Sequence, residues 1–377
     1  MNFKVNKGPF LRNKRTTTSI MLELFAVLCV VWIASMTFYG VKYNEIAALR
    51  VFAIGAISLG ATLLVDVVVA LIKGFRKPKD ILKFVLKSYS YVTALIFALC
   101  LPAGTSFYVV VLGALFATII GKYVFGGFGN NIFNPAIMGR IFVGLSFSSQ
   151  LKTVKATWTG IDIVGGSTLT GSMDWISGVS SFETKPTMMQ LLFGEYQGAI
   201  GETCTVLLLI AGIYLIVRGI ANYRLMFGYL FTAVLCCLGI GLVNKVDNIG
   251  EYLVTMLATG GLMFGATFMI TDPVTSPKSQ DGKIIYASIA GFLAIFIRVF
   301  SSYPEGVMFS IALANMITPL IDQAIKGNTY EKLTKRYLVI TTVILVCVGL
   351  ASGYAALPLN EETTAELVEI NGGVSYE

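Results

Sequence analysis

Residues 48–72 read Ala48-Leu-Arg-Val-Phe-Ala-Ile-Gly-Ala-Ile-Ser-Leu-Gly-Ala-Thr-Leu-Leu-Val-Asp-Val-Val-Val-Ala-Leu-Ile72, an almost wholly apolar run with Asp66 inside it. A helix needs about 20 mostly apolar residues to cross roughly 30 Å of hydrocarbon, and this run is long enough. Similar windows recur at 19–39, 88–102, 106–125, 134–150, 198–219, 223–244, 252–270, 284–300, 305–325 and 337–357. The pattern predicts an all-α integral membrane protein with 10–11 transmembrane helices. The third and fifth windows are short for a full crossing, which predicts tilted, broken or re-entrant helices shielded by protein.

Composition supports the same reading. Of 377 residues, 55% are hydrophobic and 13% charged, with a mean hydropathy of +0.77, whereas a soluble domain carries roughly 25% charge to cover its surface. The first run, Ser19 to Tyr39, is too long for a signal peptide and lacks a small-residue cleavage site, so it is expected to remain as a span. The net charge of +7 sits between apolar runs and not on one face, which argues against nucleic acid and for membrane topology. Lys4, Lys7, Arg12, Lys14 and Arg15 precede the first span, and Lys73, Arg76, Lys77, Lys79, Lys83 and Lys87 follow the second. By the positive-inside rule the N-terminus is cytoplasmic, and the polar loop 151–197 lies outside.

The chain has no histidine, which removes the commonest haem, metal and proton-relay ligand. Cys29, Cys100, Cys204, Cys236, Cys237 and Cys347 fall in the apolar windows without metal-type spacing and read as packing residues. Glu23, Asp66, Glu202, Arg298 and Asp322 lie in or at the ends of spans, where ionisable groups are costly and are usually functional or paired. Glu23 and Asp66 are the most interior and, with Glu202, are candidates for an ion path; a charged partner is the competing reading. Arg298 and Asp322 stand close enough to span ends to snorkel to the interface. Asn130, Asn131 and Asn134, ahead of Pro135, either cap the fifth helix or line a cavity that meets a flavin or an ion.

A weak repeat divides the membrane part. Gly113-Ala-Leu-Phe-Ala-Thr-Ile-Ile-Gly-Lys-Tyr-Val-Phe-Gly-Gly-Phe-Gly129 and Ala290-Gly-Phe-Leu-Ala-Ile-Phe-Ile-Arg-Val-Phe-Ser-Ser-Tyr-Pro-Glu-Gly306 each lead into a further helix. This predicts two pseudo-repeated five-helix halves, with a binding site where they meet. The expected organisation is a cytoplasmic segment 1–18, a first membrane half 19–150, the external loop 151–197 and a second half 198–325. A basic loop with one extra span, 326–357, and an acidic external tail, 358–377, follow.

The stretch Gly121-Lys-Tyr-Val-Phe-Gly-Gly-Phe-Gly-Asn-Asn-Ile-Phe-Asn-Pro-Ala136, with Arg140 after it, resembles the glycine and asparagine signature of the RnfD/NqrB family. Three further stretches resemble it too: Gly198 to Thr203, Gly265 to Pro277, and Tyr303 to Ser310 with Asn315 and Pro319 to Asp322. In that family the membrane subunit carries FMN joined through its phosphate to a threonine in a pattern like D-x-x-S-G-A-T. The matching segment here is Trp158-Thr-Gly-Ile-Asp-Ile-Val-Gly-Gly-Ser-Thr168, which puts the link on Thr168 with Asp162 before it. Gly165 replaces the serine and Ser167 the alanine, so Ser167 and Thr170 stay open as alternatives.

The chemistry agrees with the residues themselves. A phosphoester needs an accessible hydroxyl, and Gly165 and Gly166 let backbone N–H groups approach a phosphate. Without the resemblance, the same four residues would read as a flexible turn. The resemblance further implies cofactor contacts at Asn131, Asn134 and Arg140, and non-covalent riboflavin in Nqr-type members.

It also implies a function: a subunit of a translocase, not catalytic alone, relaying electrons between ferredoxin and NAD⁺ while Na⁺ or H⁺ moves across a prokaryotic plasma membrane. The implied partners are RnfA, RnfB, RnfC, RnfE and RnfG, with a flavin transferase to attach the FMN. The early place of Gly8-Pro-Phe-Leu-Arg12 resembles Rnf members. The 158–168 segment resembles the Nqr pattern, of NADH:quinone reductase, and Rnf is the reading adopted. From a different class, a small-solute channel or secondary transporter has the same helical outline without a redox cofactor.

Overall fold

The computed structural model describes residues 15–151, 153–157, 160–164, 173–174, 179–180, 188–193, 198–246, 248–300 and 306–325, with a few positions between 343 and 350. The extra span 337–357 lies largely outside these residues, and the acidic tail wholly so.

The chain runs through α1 (Thr17–Lys42), α2 (Glu45–Ile72), α3 (Pro78–Ser88), α4 (Ser90–Leu99), α5 (Phe107–Thr118) and α6 (Pro135–Ser146). A loop with two short hairpins follows, β1 (Thr153–Thr157) with β2 (Gly160–Val164) and β3 (Met173–Asp174) with β4 (Val179–Ser180), then α7 (Met188–Phe193). The second half holds α8 (Thr205–Val217), α9 (Tyr223–Val243), α10 (Ile249–Ala258), α11 (Leu262–Phe264), α12 (Gln280–Phe300) and α13 (Gly306–Ala324). Two π turns, Ile119–Tyr123 and Gly265–Met269, prolong α5 and α11. Several starts are written in the sequence: Thr16, Asn44, Asn134, Asn222 and Asn248 each accept an N–H of the first turn they precede.

Among the described residues five helices are long and apolar enough to cross a membrane alone, and two bent pairs pass the same test when each pair is taken together, as a broken span or a re-entrant loop. Phe107–Tyr123, Pro135–Ser146 and Thr205–Val217 are shorter apolar helices. The order helix, helix, broken helix, helix, helix therefore occurs twice, α1 to α6 and α8 to α13. The membrane expectation holds, and so does the expectation of broken segments, but their positions differ from the windows drawn on hydropathy. The third span begins at Pro78 and bends by 49° between α3 and α4. The window 252–270 is not one helix: α10 and α11 meet at 61°. The window 198–219 opens with a short 3₁₀ turn, Ile200–Glu202, before α8 begins.

The two breaks use different backbone chemistry. Gly260 and Gly261 take the left-handed region, φ 65° and 71°, at little cost. In the first half Tyr89 stands there, at φ 57°, where a side chain costs roughly 1–2 kcal/mol. Its ring packs edge-on against Phe128 at 4.6 Å and its hydroxyl meets that of Thr18 at 2.9 Å, contacts that hold the turn.

Packing within each half relies on close helix approach. Lipid tails compete equally for apolar side chains, so small residues at the crossings decide the contact. At the α5–α6 crossing a Cβ on Gly139 would lie 2.7 Å from the Cβ of Ala117 and 2.8 Å from the carbonyl oxygen of Gly113. Backbone blocks that space. Gly139→Ala is therefore expected to lower stability by about 1–3 kcal/mol, read as a lower thermal midpoint in detergent. An unchanged midpoint would show that the two helices can part without loss.

Candidate functional site

A cavity opens where the two halves meet. Its apolar wall includes Met21 and Leu24 of α1, Val92 and Ile96 of α4, Leu215 of α8 and Phe268 of the second π turn. Its polar wall comes from Lys122, Asn131 and Asn134 of the first half and Thr271 and Asp272 of the second. The cavity volume is about 60 Å³, room for a few waters. Asn134 Oδ1 caps α6 by accepting from Ala136 N at 3.1 Å, and Asn131 Nδ2 donates to Phe133 O at 3.0 Å. Asn134 thus caps the helix as expected, Asn131 fixes the turn before it, and both stand in the cavity lining. In the connection before α12, burial pushes the Asp272 carboxyl up to about 6, against hydrogen bonds from Val274 N–H and the Thr275 hydroxyl.

Behind the cavity lies a buried polar cluster. Asp66 is fully buried, and three hydroxyls donate to its carboxylate: Ser90 to Oδ1 at 2.7 Å, Tyr123 to Oδ1 and Ser88 to Oδ2. Lys122, only 2% exposed, donates its ammonium to Ser88 O and, at 2.6 Å, to Ser90 Oγ. Ser90 therefore bridges cation and anion. The hydropathy reading passed over Lys122. Its signal was present, a lysine between Gly121 and Tyr123 in an otherwise apolar segment.

The other charged candidates stand apart from the cavity wall. Glu23, read as interior, pairs with Arg218, whose side chain is 46% exposed, and accepts from Tyr214 OH at 2.9 Å. Glu202 sits in the 3₁₀ turn at the α10–α11 break, its Oε1 3.1 Å from where a Cβ on Gly261 would be. Arg140 is buried in α6, where its Nε donates to Cys100 O at 2.9 Å beyond the end of α4.

One expectation about charge is corrected. Arg298 does not snorkel: it is 1% exposed and donates to Met256 O at 2.6 Å and Gly260 O at 2.9 Å, at the broken end of α10. Asp322 accepts the backbone N–H of Lys278 at 3.0 Å, so it fastens the connection before α12 to α13. Asp162 lies on β2, in register with Lys155 of β1. Gly165, Gly166, Ser167, Thr168 and Thr170 lie outside the described residues.

The described residues hold no group of three or more Cys, Asp or Glu able to bind a metal. A family model described as the NQR2, RnfD, RnfE family matches residues 4–331. The B-type subunit of a Na(+)-translocating NADH-quinone reductase from Pseudomonas aeruginosa is 34% identical over 257 residues, covering 65% of this chain and 62% of that protein. Its counterpart from Chromohalobacter salexigens is 31% identical over 249 residues, covering 65% and 60%. The chain thus spans less than two thirds of those relatives. The D-type subunit of a proton-translocating ferredoxin:NAD(+) oxidoreductase complex from Clostridium ljungdahlii is 33% identical over 327 residues, covering 85% of this chain and 94% of that protein.

Proposed function

Since the chain belongs to the NQR2, RnfD, RnfE family, we propose that it is the D-type membrane subunit of an ion-translocating ferredoxin:NAD⁺ oxidoreductase and relays electrons through bound flavin. The observation that carries this reading is the cavity between the halves, whose polar lining, Lys122, Asn131, Asn134, Thr271 and Asp272, comes from two of the family's signature stretches. The near-complete match to the clostridial D-type protein favours the Rnf type over the NADH:quinone reductase type. On this reading the partners are RnfA, RnfB, RnfC, RnfE and RnfG, the ions Na⁺ or H⁺, and the location a prokaryotic plasma membrane.

A flavin supplies a carrier able to take up one or two electrons. The chemistry of the cavity suits a non-covalent one. An isoalloxazine has an amide-like edge and an apolar edge, and the cavity lining would offer Asn131, Asn134, Thr271 and Lys122 to the first and Leu24, Val92 and Phe268 to the second. The open volume is smaller than the ring, so lining side chains such as the unbranched Met21 would have to shift to admit it. The chain's work is to orient the ring's polar edge, keep bulk water from it and hold Lys122 as the nearby positive charge. The covalent FMN is assigned by resemblance to Thr168 in the external loop, attached by a flavin transferase.

The test is a denaturing gel of the purified chain, produced with an active flavin transferase and viewed for flavin fluorescence, comparing wild type with Thr168→Ala, Ser167→Ala and Thr170→Ala. A fluorescent band lost only in Thr168→Ala is the expected result. Loss in one of the other two moves the link to that residue. A dark wild-type band sinks the covalent flavin, and a colourless native protein besides would favour the channel or transporter.

A further inference from the structure

α3 differs in character from the apolar helices around it. From Lys73 to Lys87 the chain carries six cations and one carboxylate, Asp80. At 3.6 residues per turn Pro78–Ser88 presents three faces. Ile81, Phe84 and Val85 are half-buried and Ser88 is buried, so this face lies towards the bundle. There the Phe84 ring packs on Phe75 at 5.6 Å, with the ammonium of Lys73 5.0 Å from its centre. Leu82 and Leu86 form the next face and are 60% and 47% exposed. Lys79, Lys83 and Lys87 recur at every fourth residue along the third, all exposed.

A topology signal needs a number of cations in a loop and is indifferent to their phase on a helix. Here they are phased. Bundle contact, exposed leucines and lysine stripe follow one another around the axis, the order of a helix that lies along a membrane interface at the edge of a bundle. In that position the leucines reach acyl chains while the lysine stems lift their ammonium groups to the headgroups. The preceding helix ends in Leu64, Val68, Leu71 and Ile72, which are exposed in the same way. The fold does not itself ask for the lysines, since α10, in the corresponding place of the second half, has Glu251 as its single charged residue. None of the three lysines forms an ion pair or side-chain hydrogen bond with a described residue. Their counter-charge must come from outside the chain, and the cytoplasmic leaflet, which this end of the bundle faces by the positive-inside rule, has a negative surface.

We propose that α3 is a docking surface for anionic phospholipids of the cytoplasmic leaflet, with Lys79, Lys83 and Lys87 on the headgroup phosphates and Leu82 and Leu86 among the acyl chains. Each cation near such a surface strengthens binding about fivefold, and Lys73, Arg76 and Lys77 in the turn before α3 add to the same field. α3 passes into α4 through the left-handed Tyr89, so lipids that hold α3 at the interface also hold that break at a fixed depth. The docking surface goes beyond the function proposed above and stands whether or not the chain carries a flavin.

The test uses the purified full-length chain in a neutral detergent. Its thermal midpoint is followed as phosphatidylglycerol or phosphatidylcholine is added, for wild type and two variants. One combines Lys79→Gln, Lys83→Gln and Lys87→Gln; the other exchanges two neighbours, Leu82→Lys with Lys83→Leu, which keeps the loop charge and breaks the stripe. Binding to the folded state alone raises the midpoint with ligand concentration. Wild type is expected to show a saturable rise of several degrees with phosphatidylglycerol and none with phosphatidylcholine, and high salt should shrink it. Both variants are expected to lose roughly half of the rise or more. An equal rise with the two lipids, or a rise that either variant keeps in full, overturns the proposal. So does a wild type without any response, which would leave an acidic face of a partner subunit as the occupant of the stripe. Should neither variant fold, wild type is cross-linked to phosphatidylglycerol with a photoreactive headgroup. Label on the peptide 77–88 supports the surface, and label confined to other peptides overturns it.

Discussion

Arg298→Met should destabilise the second half by roughly 3–5 kcal/mol, since two charge-assisted hydrogen bonds are worth about 1.5–3 kcal/mol each. Methionine fills much of the space but donates nothing to Met256 O and Gly260 O, which then face a buried, apolar surrounding. The break between α10 and α11 exists because Gly260 and Gly261 turn the chain, and those carbonyls are what the turn leaves over. Arg298→Lys should recover only part of the loss, because one ammonium replaces a fork that reaches both oxygens. The measurement is the thermal midpoint of the detergent-solubilised chain, with circular dichroism to follow helix content. Equal midpoints for wild type and Arg298→Met would mean that the guanidinium contributes no net stability.

Asp66→Leu should be comparably damaging, by roughly 3–5 kcal/mol, because it leaves the ammonium of Lys122 buried without its counter-charge. Three hydroxyls, of Ser88, Ser90 and Tyr123, lose their acceptor at the same time. Removing the cation too, as Asp66→Leu with Lys122→Met, should restore much of the stability, since replacing both members of a buried pair is often close to neutral. Midpoints of the two single variants and the double one give the coupling between the residues. If the double variant is as unstable as the sum of the singles, the pair is not coupled through Ser90 and the cluster acts as separate hydrogen bonds.

Long apolar windows predicted α1, α2, α9, α12 and α13 well, because hydropathy measures what the bilayer requires of a lipid-facing helix. Breaks are another matter. Thr259-Gly260-Gly261 is short and neutral, and barely lowers the hydropathy of its window, yet it turns the chain by 61°. Tyr89 carries no local sign of a left-handed turn, which depends on contacts with Phe128 and Thr18 far along the chain. Arg298 was legible in a way that end-distance concealed: Ala287, Gly291 and Ala294 share its helical face, and that small-residue face is the one pressed into the bundle. Asn131 and Asn134 were found by the family signature, whereas Lys122 lay inside the same stretch and was not singled out.

The cations at the two breaks bear on passive conductance. A fold that turns helix ends into a bilayer resembles an unfinished channel, because those ends strip water from a passing ion and offer oxygen in exchange. Here each end already has an ion that is tied to the backbone and cannot be carried away by the membrane potential. Under the proposed function this would be a gain, since any leak runs down the gradient that electron flow would build. On that reading Lys122 and Arg298 would serve as tethered stoppers at the two breaks, where their nitrogens already hold Ser88 O, Met256 O and Gly260 O.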